Sequence, residues 1–336
     1  MKPAIAITMG DVCGIGPEII ARSLADPELY DLCRPVVVGD ADALIRARDL
    51  VGAKFSVVRR SEGEPLAAEP SPAAVPCVDP GLKVGDLPYG HVDARAGHAA
   101  FEFVRLAVGM AQARRVAAIV TASLNKEALH KGGHLYAGHT EILADLTGSR
   151  DYAMMLATPK LKIVHLTTHV GLIDAIERIT PERTYRVIRL AWEALTRAGL
   201  AAPRIAVCAI NPHAGENGLF GRGEEREKLQ PGIDRAVSEG IAASGPWPAD
   251  TIFFRAMRGE FDMVVACYHD QGHIPAKLLS IEDGVNVTLG LGGGIIRTSV
   301  DHGTAFDIAG KNLARHQSLI AAVHMATQLM PKDGRD

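Results

Sequence analysis

Short apolar runs alternate with amphipathic stretches along this chain, and the alternation predicts strands and helices in turn. Apolar runs that end in glycine or polar residues predict buried strands over residues 3–8, 35–39, 117–121, 152–157, 161–166, 205–210 and 263–266. Apolar residues with helical spacing predict helices over residues 41–50, 97–114, 185–198 and 251–257. The segment 60–92 is rich in Pro, Gly and Glu and predicts surface structure or an edge hairpin. This order of elements favours a mainly parallel α/β architecture.

Composition narrows the class of protein. The 336 residues allow two domains, and 47% hydrophobic with 22% charged residues is typical of a globular protein. A net charge of −3 gives no basic field for nucleic acid, and no apolar run is long enough for a membrane helix. The N-terminal strand turns polar too early for a signal peptide, so a cytoplasmic location is expected. The five scattered cysteines predict neither disulfides nor structural zinc, and Cys208 and Cys267 are interpreted as core residues.

Glycines follow the first predicted strand and precede a helical pattern that begins near Pro17. Gly14 and Gly16 could let an anionic ligand approach the helix start, although a plain tight turn explains them equally well. The third glycine of the dinucleotide fingerprint is replaced by Ile19. The turn therefore remains open to both interpretations.

Three histidines share one topological position. His169, His213 and His269 each follow an apolar strand by about three residues. If the three imidazoles converge at carboxyl strand ends, they form a divalent metal site with positions open to substrate. The alternative is that each is a hydrogen-bonded histidine near the surface.

Other polar residues are candidates for binding an anion. His139 and Thr140 open a helix and offer donors to an oxyanion, although Thr140 also suits an N-cap. Lys126 follows a strand and is a candidate active-site cation or a solvated helix residue. A pocket for phosphate or carboxylate is predicted from three further residues, each of which could equally be a surface group: Lys277, Asn286 and Arg297. The glycine-containing loop 301–311 is a plausible nucleotide clasp.

These motifs occur together in a family-specific order. TMGDVCGIGPEI, GHTE, TTH, NPHAGE, YHDQG, GVNVTLG and IRTSVDHGTAFDIAGK span almost the full length. The chain resembles the 4-hydroxythreonine-4-phosphate dehydrogenases of the vitamin B6 pathway, and two of its elements are similar to isocitrate and isopropylmalate dehydrogenases. The resemblance implies a two-domain α/β/α subunit with its active site in the interdomain cleft. It implies a cofactor-side domain of residues 1–132 plus 298–336 and a metal, substrate and dimerisation domain of residues 133–297.

The resemblance also implies roles for individual residues. The metal ligands fall on His169, His213 and His269 of a homodimer, with His269 expected to complete the site of the neighbouring subunit. The metal could be zinc, cobalt, manganese, nickel or magnesium. The family's substrate contacts fall on His139, Thr140, Lys277, Asn286 and Arg297. The adenosine part of NAD, or of NADP as the alternative, is expected at His302, Gly303, Thr304, Ala305 and Asp307.

The implied reaction is oxidation of a secondary alcohol by NAD, followed by decarboxylation of the β-keto acid. Lys126, expected near Asp250, is the candidate for proton transfer, because a neighbouring metal cation would lower the pKa of its amine. The substrate is expected to be a four-carbon 4-phosphorylated 3-hydroxy acid, the 4-phosphooxy-threonine type first. A non-catalytic metal- or metabolite-binding protein is the alternative from another class.

Two departures from the vitamin B6 enzymes bear on the substrate. Residues 290–294 read GLGGG where many relatives have GLP, which lengthens the loop beside the expected phosphate site. His273-Ile274 stands where those enzymes often have Leu-Pro. This form is similar to a second branch, which contains D-threonate and D-erythronate 4-phosphate dehydrogenases that produce dihydroxyacetone phosphate. That branch also contains an aromatic cis-dihydrodiol dehydrogenase, ranked third because His139, Thr140 and Arg297 favour a phosphorylated substrate.

Overall fold

A computed structural model describes residues 2–66, 71–279 and 284–331. Its contacts divide the chain into two units, Met1–Arg150 with Leu291–Gln328 and Asp151–Gly290 with Leu329–Asp336. The domain boundaries expected after residues 132 and 297 differ from this division. The assignment of cofactor and substrate roles to the two domains stays a prediction.

The described residues form strands and helices that alternate along most of the chain. The strands are β1 Ala4–Thr8, β2 Arg34–Val38, β3 Ser56–Arg60, β4 Ala74–Val78, β5 Ala118–Thr121, β6 Ala153–Ala157, β7 Lys162–His165, β8 Ile205–Cys208, β9 Ala243–Trp247, β10 Met263–Ala266, β11 Val285–Leu289 and β12 Ile296–Val300. The helices are α1 Gly16–Leu24, α2 Pro27–Leu32, α3 Ala41–Val51, α4 Ala94–Gln112, α5 Lys126–Lys131, α6 His139–Leu146, α7 Leu172–Arg178, α8 Pro181–Arg197, α9 Gln230–Ser238, α10 Ala249–Met257, α11 His269–Leu279 and α12 Gln317–Gln328. Short turns occupy Pro212–Gly218, Glu225–Leu229 and Gly292–Gly294.

The first unit contains a parallel sheet in the order β3-β4-β2-β1-β5-β12. Its central strands are buried along their length, because α4 packs against β1, β2 and β5 while α12 packs against β5 and β12. The contact of α6 with α4 and the pairing of β12 with β5 explain why residues 133–150 and 291–297 belong to this unit. The expected edge hairpin is wrong: the edge strand β3 is parallel to its neighbour β4, and a direct hairpin cannot join parallel strands. Residues 67–70 of their connection lie outside the described residues.

The second unit contains strands in the order β11-β6-β7-β10-β8-β9. β7, β10, β8 and β9 are parallel, whereas β6 is antiparallel to β7 and β11. The predicted α/β class and mainly parallel pairing are therefore confirmed. Val265 of β10 pairs with Val164 on one side and Val207 on the other. Since these three strands are parallel, the segments that follow them begin at the same edge of the sheet.

The cysteines lie in the protein core, where the sequence predicted Cys208 and Cys267 to lie. All five cysteines are buried, and none of them forms a disulfide. The Sγ of Cys267 donates a hydrogen bond to the backbone oxygen of Cys208 at 3.2 Å. Both therefore act as small core residues, as predicted. Within residues 2–66, 71–279 and 284–331, no helix combines the length and apolarity needed to cross a membrane.

Candidate active site

The three predicted metal histidines follow β7, β8 and β10, at the carboxyl ends of parallel strands in the second unit. The rings of His169 and His269 lie side by side, with centroids 5.7 Å apart. Two imidazoles that share one ion at about 2.1 Å per bond have centroids roughly 5 Å apart, so this pair suits a common metal. Among the described residues, however, no group of three His, Cys, Asp or Glu side chains is close enough to hold an ion. The structure therefore brings together His169 and His269, but not His213.

His269 is held on two sides. Its Nδ1 lies 2.7 Å from the Oδ1 of Asp270, and its ring stacks on the ring of His273 with centroids 3.7 Å apart and planes 9° from parallel. The Nδ1 of His273 in turn donates to the backbone oxygen of His269 at 3.0 Å. When a carboxylate accepts the Nδ1 proton, the lone pair of Nε2 is available to a metal. The histidine donors and this ring orientation fit a divalent ion. In the sequence, the orientation is signalled by the acidic residue directly after the histidine.

His213 is carried on a left-handed turn. Five consecutive residues, numbers 213–217, have positive φ, from 40° at Glu216 to 79° at Gly215. For residues other than glycine this conformation costs about 1–2 kcal/mol each, so surrounding contacts must stabilise it. Strained backbone of this kind is concentrated at functional sites. His213 is exposed at the surface of the chain.

A fourth histidine lies beneath this group, and sequence reasoning missed it. His165, the last residue of β7, is fully buried, and its ring centroid is 4.8 Å from that of His273. Its Nδ1 lies 3.3 Å from the backbone oxygen of Met154, whereas its Nε2 has no hydrogen-bond partner among the described residues. Burial lowers the pKa of His165 to about 3, so the ring is neutral at physiological pH. The only signal in the sequence is a histidine that closes an apolar strand.

The first unit contains the cationic part of the predicted substrate site. Arg297, on β12, is 3% exposed, and its Nη2 donates to the Oγ1 of Thr121 on neighbouring β5 at 2.6 Å. Burial lowers the pKa of Arg297 to about 9, which still leaves the guanidinium charged at neutral pH. Burial first, and then the charge of Arg297, hold the pKa of His139 well below its usual value. A neutral imidazole and a charged guanidinium therefore lie near each other.

Thr140 is not an N-cap, because α6 begins one residue before it. The cap position is Gly138, whose extended backbone makes no side-chain cap hydrogen bond. Thr140 therefore lies in the first turn of the helix, at the positive end of the helix dipole. That place is compatible with the predicted contact to an oxyanion.

The glycine loop before β12 is also close to this region. The backbone N–H of Gly292 donates to the Oγ of Ser149 at 2.7 Å, and a Cβ at Gly292 would lie 2.5 Å from the backbone oxygen of Thr147. Gly293 and Gly294 are exposed and have positive φ. Where many relatives have GLP, this chain thus has a tight turn that is anchored at Gly292.

The remaining candidates occupy separate elements. In the second unit, Lys277 lies two helical turns after His269 on α11, and Asn286 lies on β11. Asp250, in the first turn of α10, is exposed. In the first unit, Lys126 is the exposed first residue of α5. The proximity of Lys126 to Asp250 stays a prediction.

The expected cofactor loop packs on the glycine turn that follows β1. The backbone N–H of Ile15 donates to the backbone oxygen of Thr304 at 3.0 Å, and a Cβ at Gly14 would come within 2.9 Å of Thr304. Close backbone approach therefore requires glycine at position 14. His302 is fixed by its Nε2, which lies 2.9 Å from the Oγ of Ser318 on α12. Of the other expected cofactor contacts, Gly303 and Asp307 are exposed, and Ala305 has a φ of 43°.

Comparison with known proteins assigns this architecture to a family. The family model "Pyridoxal phosphate biosynthetic protein PdxA" matches residues 31–326. A putative D-threonate 4-phosphate dehydrogenase of Oceanobacillus iheyensis is 54% identical over 98% of both chains. The D-threonate 4-phosphate dehydrogenase of Cupriavidus necator is 52% identical over 97% of both chains.

Solved structures agree with this assignment. The crystal structure of a 4-hydroxythreonine-4-phosphate dehydrogenase from Burkholderia phymatum is 50% identical, has a TM-score of 0.89, and is matched over 99% of this chain and 100% of its own. The enzyme class predicted from the motifs, an oxidoreductase acting on a CH–OH group, is confirmed by these relatives. With a matching family model and relatives about half identical over nearly its whole length, this chain belongs to the PdxA family.

Proposed function

We propose that this protein oxidises D-threonate 4-phosphate with NAD and that the product loses carbon dioxide. The observation that carries the proposal is the identity of 54% and 52%, over nearly the whole chain, with relatives that bear this substrate in their names. The amino-acid substrate, 4-phosphooxy-threonine, is the second candidate. It is supported by the name of the Burkholderia phymatum structure, at 50% identity.

The proposed reaction balances without a further reactant. The C3–H bond of the substrate breaks and hydride passes to NAD, while the C3 hydroxyl releases a proton. The resulting 3-keto acid breaks its C1–C2 bond, and the electron pair moves towards the C3 carbonyl as carbon dioxide leaves. Protonation at C2 then gives dihydroxyacetone phosphate. We assign the proton transfers to Lys126, with Asp250 as its proposed neighbour.

The proposed metal ligands are His169, His213 and His269. When bound there, a divalent ion supplies Lewis acidity to the hydroxyl and carbonyl oxygens of the substrate. Asp270 supports this role, because its carboxylate fixes the orientation of the His269 ring. The buried neighbour His165 is neutral, so it adds no positive charge beside the ion.

The phosphate is proposed to bind at Arg297 and His139, with Thr140, Lys277 and Asn286 as further contacts. A buried guanidinium offers a charged, two-pronged donor to phosphate oxygens in a poorly hydrated setting. The neutral ring of His139 can donate one hydrogen bond without adding a second charge. For the cofactor we propose NAD at the loop 302–307, with NADP as the alternative.

We also propose a homodimer whose metal site is completed across the subunit interface. Large apolar side chains are exposed three to nine residues after the three proposed metal histidines. They are Leu172 (60% exposed), Ile173 (76%), Leu219 (71%), Ile274 (57%) and Leu278 (82%). Exposed apolar side chains grouped around polar residues are typical of surfaces that bind another protein chain. A second copy of this chain would cover them and bring its own histidines to the same place.

The substrate proposal is tested by NADH formation from purified protein. The assay compares D-threonate 4-phosphate, D-erythronate 4-phosphate, 4-phosphooxy-threonine and unphosphorylated D-threonate, with added metal or chelator and with NAD or NADP. The expected result is the highest kcat/KM for D-threonate 4-phosphate, lost on chelation. A higher kcat/KM for 4-phosphooxy-threonine would replace the substrate. Absence of NADH with every phosphorylated acid would overturn the activity and favour a binding protein.

A further inference from the structure

The left-handed turn that carries His213 is anchored by one carboxylate. The Oε1 of Glu225 accepts the backbone N–H of Ile210 at 3.1 Å and that of Asn211 at 2.6 Å. Its Oε2 accepts the side-chain amide of Asn211 at 3.0 Å. These are the residues between the end of β8 and the turn, so Glu225 sets where the turn begins.

The backbone of the turn itself is sterically unfavourable. Backbone hydrogen bonds run from Ala214 to Asn211, from Leu219 to Glu216 and from Phe220 to Gly215, at 3.2, 3.2 and 3.1 Å. Because residues 213–217 are all left-handed, sterics favour a different backbone at every residue except the glycine. External hydrogen bonds at the base of the turn are therefore needed to keep it.

Close packing links the carboxylate to the turn. A Cβ at Gly215 would lie 3.2 Å from the Oε2 of Glu225, and a Cβ at Gly221 would lie 2.2 Å from the Nδ2 of Asn211. The same Nδ2 also donates to the Oε2 of Glu224 at 3.0 Å. The amide of Asn211 is thus held between two carboxylates, and position 221 has no room for a side chain beside it.

We propose that Glu225, acting through Asn211, is a positioning residue that sets His213 for metal binding. The proposal rests on the proposed function, in which His213 is a metal ligand. Glu225 itself is engaged with backbone and amide donors, so it acts on the metal only through the geometry of the turn. Supports of this kind typically change metal affinity 10- to 100-fold, an order of magnitude known from other metalloproteins.

The test measures metal binding without substrate. Metal-free wild-type protein and the variants Glu225→Ala, Glu225→Gln and His213→Ala are titrated with Mn²⁺ or Zn²⁺ by calorimetry. Glu227→Gln is the matched control, because Glu227 lies on the same short turn and its carboxylate pairs with the exposed Arg226. The expected Kd rises roughly 10- to 100-fold in Glu225→Ala and less in Glu225→Gln, which keeps one oxygen acceptor. The control is expected to match wild type.

Two further readouts separate positioning from a general loss of folding. Excess metal is expected to restore the kcat of Glu225→Ala, and its far-ultraviolet circular dichroism is expected to match that of wild type. If Glu225→Ala does not fold, Glu225→Gln carries the same comparison.

The outcomes distinguish this proposal from the proposed function. Wild-type affinity in Glu225→Ala, alongside weakened binding in His213→Ala, would overturn the role of Glu225 alone. Unchanged affinity in His213→Ala would instead remove His213 from the metal site. A loss of activity in Glu225→Ala that no metal concentration restores would also overturn positioning.

Discussion

Replacement of Arg297 by methionine tests the proposed phosphate site most directly. Arg297 is 3% exposed, and its Nη2 donates to the Oγ1 of Thr121, which orients the guanidinium. Charged hydrogen bonds contribute about 1.5–3 kcal/mol each, so the loss of two bonds near the lower end of this range gives about 3–4 kcal/mol. At 1.36 kcal/mol per tenfold change, kcat/KM for D-threonate 4-phosphate should fall about 10²- to 10³-fold. Unphosphorylated D-threonate should react equally with variant and wild type.

The assay is NADH formation with both compounds at saturating metal. Arg189→Met serves as the control, since this arginine on α8 is 45% exposed and pairs with a surface glutamate, and it should leave both rates unchanged. Thr121→Val removes the hydroxyl that holds the guanidinium and should cause a smaller loss, about tenfold, as expected for one hydrogen bond. Equal losses with the two compounds in Arg297→Met would refute the phosphate role, because phosphate recognition cannot change the rate of a compound that lacks phosphate.

Three other predictions concern packing, pH and metal binding. Gly97→Ala should strongly destabilise the protein in urea unfolding, because the new Cβ would lie 1.9 Å from the backbone of α5. Gly109→Ala on the same helix places its Cβ in open space and should stabilise the protein by about 0.5–1 kcal/mol. The pKa of His165 falls from 6.5 to about 3 on folding, so below pH 6.5 the unfolded chain binds more protons and stability decreases as pH falls. At pH 5 the loss of unfolding free energy from this histidine is about 2 kcal/mol. Urea unfolding of the metal-free protein should show that His165→Leu avoids this loss, whereas His91→Gln, a change at an exposed histidine, should not avoid it. Asp270→Asn should weaken metal binding about 10- to 100-fold by calorimetry, and unchanged affinity would contradict the orientation argument.

Much of the local structure was predictable because it depends on short-range patterns. Continuous apolar runs identified β1, β2, β5, β7, β8 and β10, since a parallel strand covered on both faces has no polar positions. Strands β3 and β4 escaped this rule. The direction of both strands depends on which neighbour they pair with, and the half-exposed edge strand β3 also carries a weaker apolar signal.

The site was predictable in its residues and less so in its arrangement. Strand ends pointed to His169, His213 and His269, because parallel strands deliver their following residues to one edge. Nothing in the sequence pattern indicated that His165 lies buried beneath His273, since that contact depends on how α11 packs on β7. The two alternatives for Thr140 also required the backbone, which starts α6 at His139.

The sequence by itself determined the α/β class, the family and the positions of the polar residues at strand ends, because periodicity and motif order are properties of the linear chain. Only the tertiary structure decided which of those residues meet. It set the 5.7 Å spacing of His169 and His269, the carboxylate of Glu225 behind the turn of His213, and the contact of Arg297 with Thr121. These contacts join residues 14 to 176 positions apart along the chain, and long-range distances follow from packing rather than from local preference.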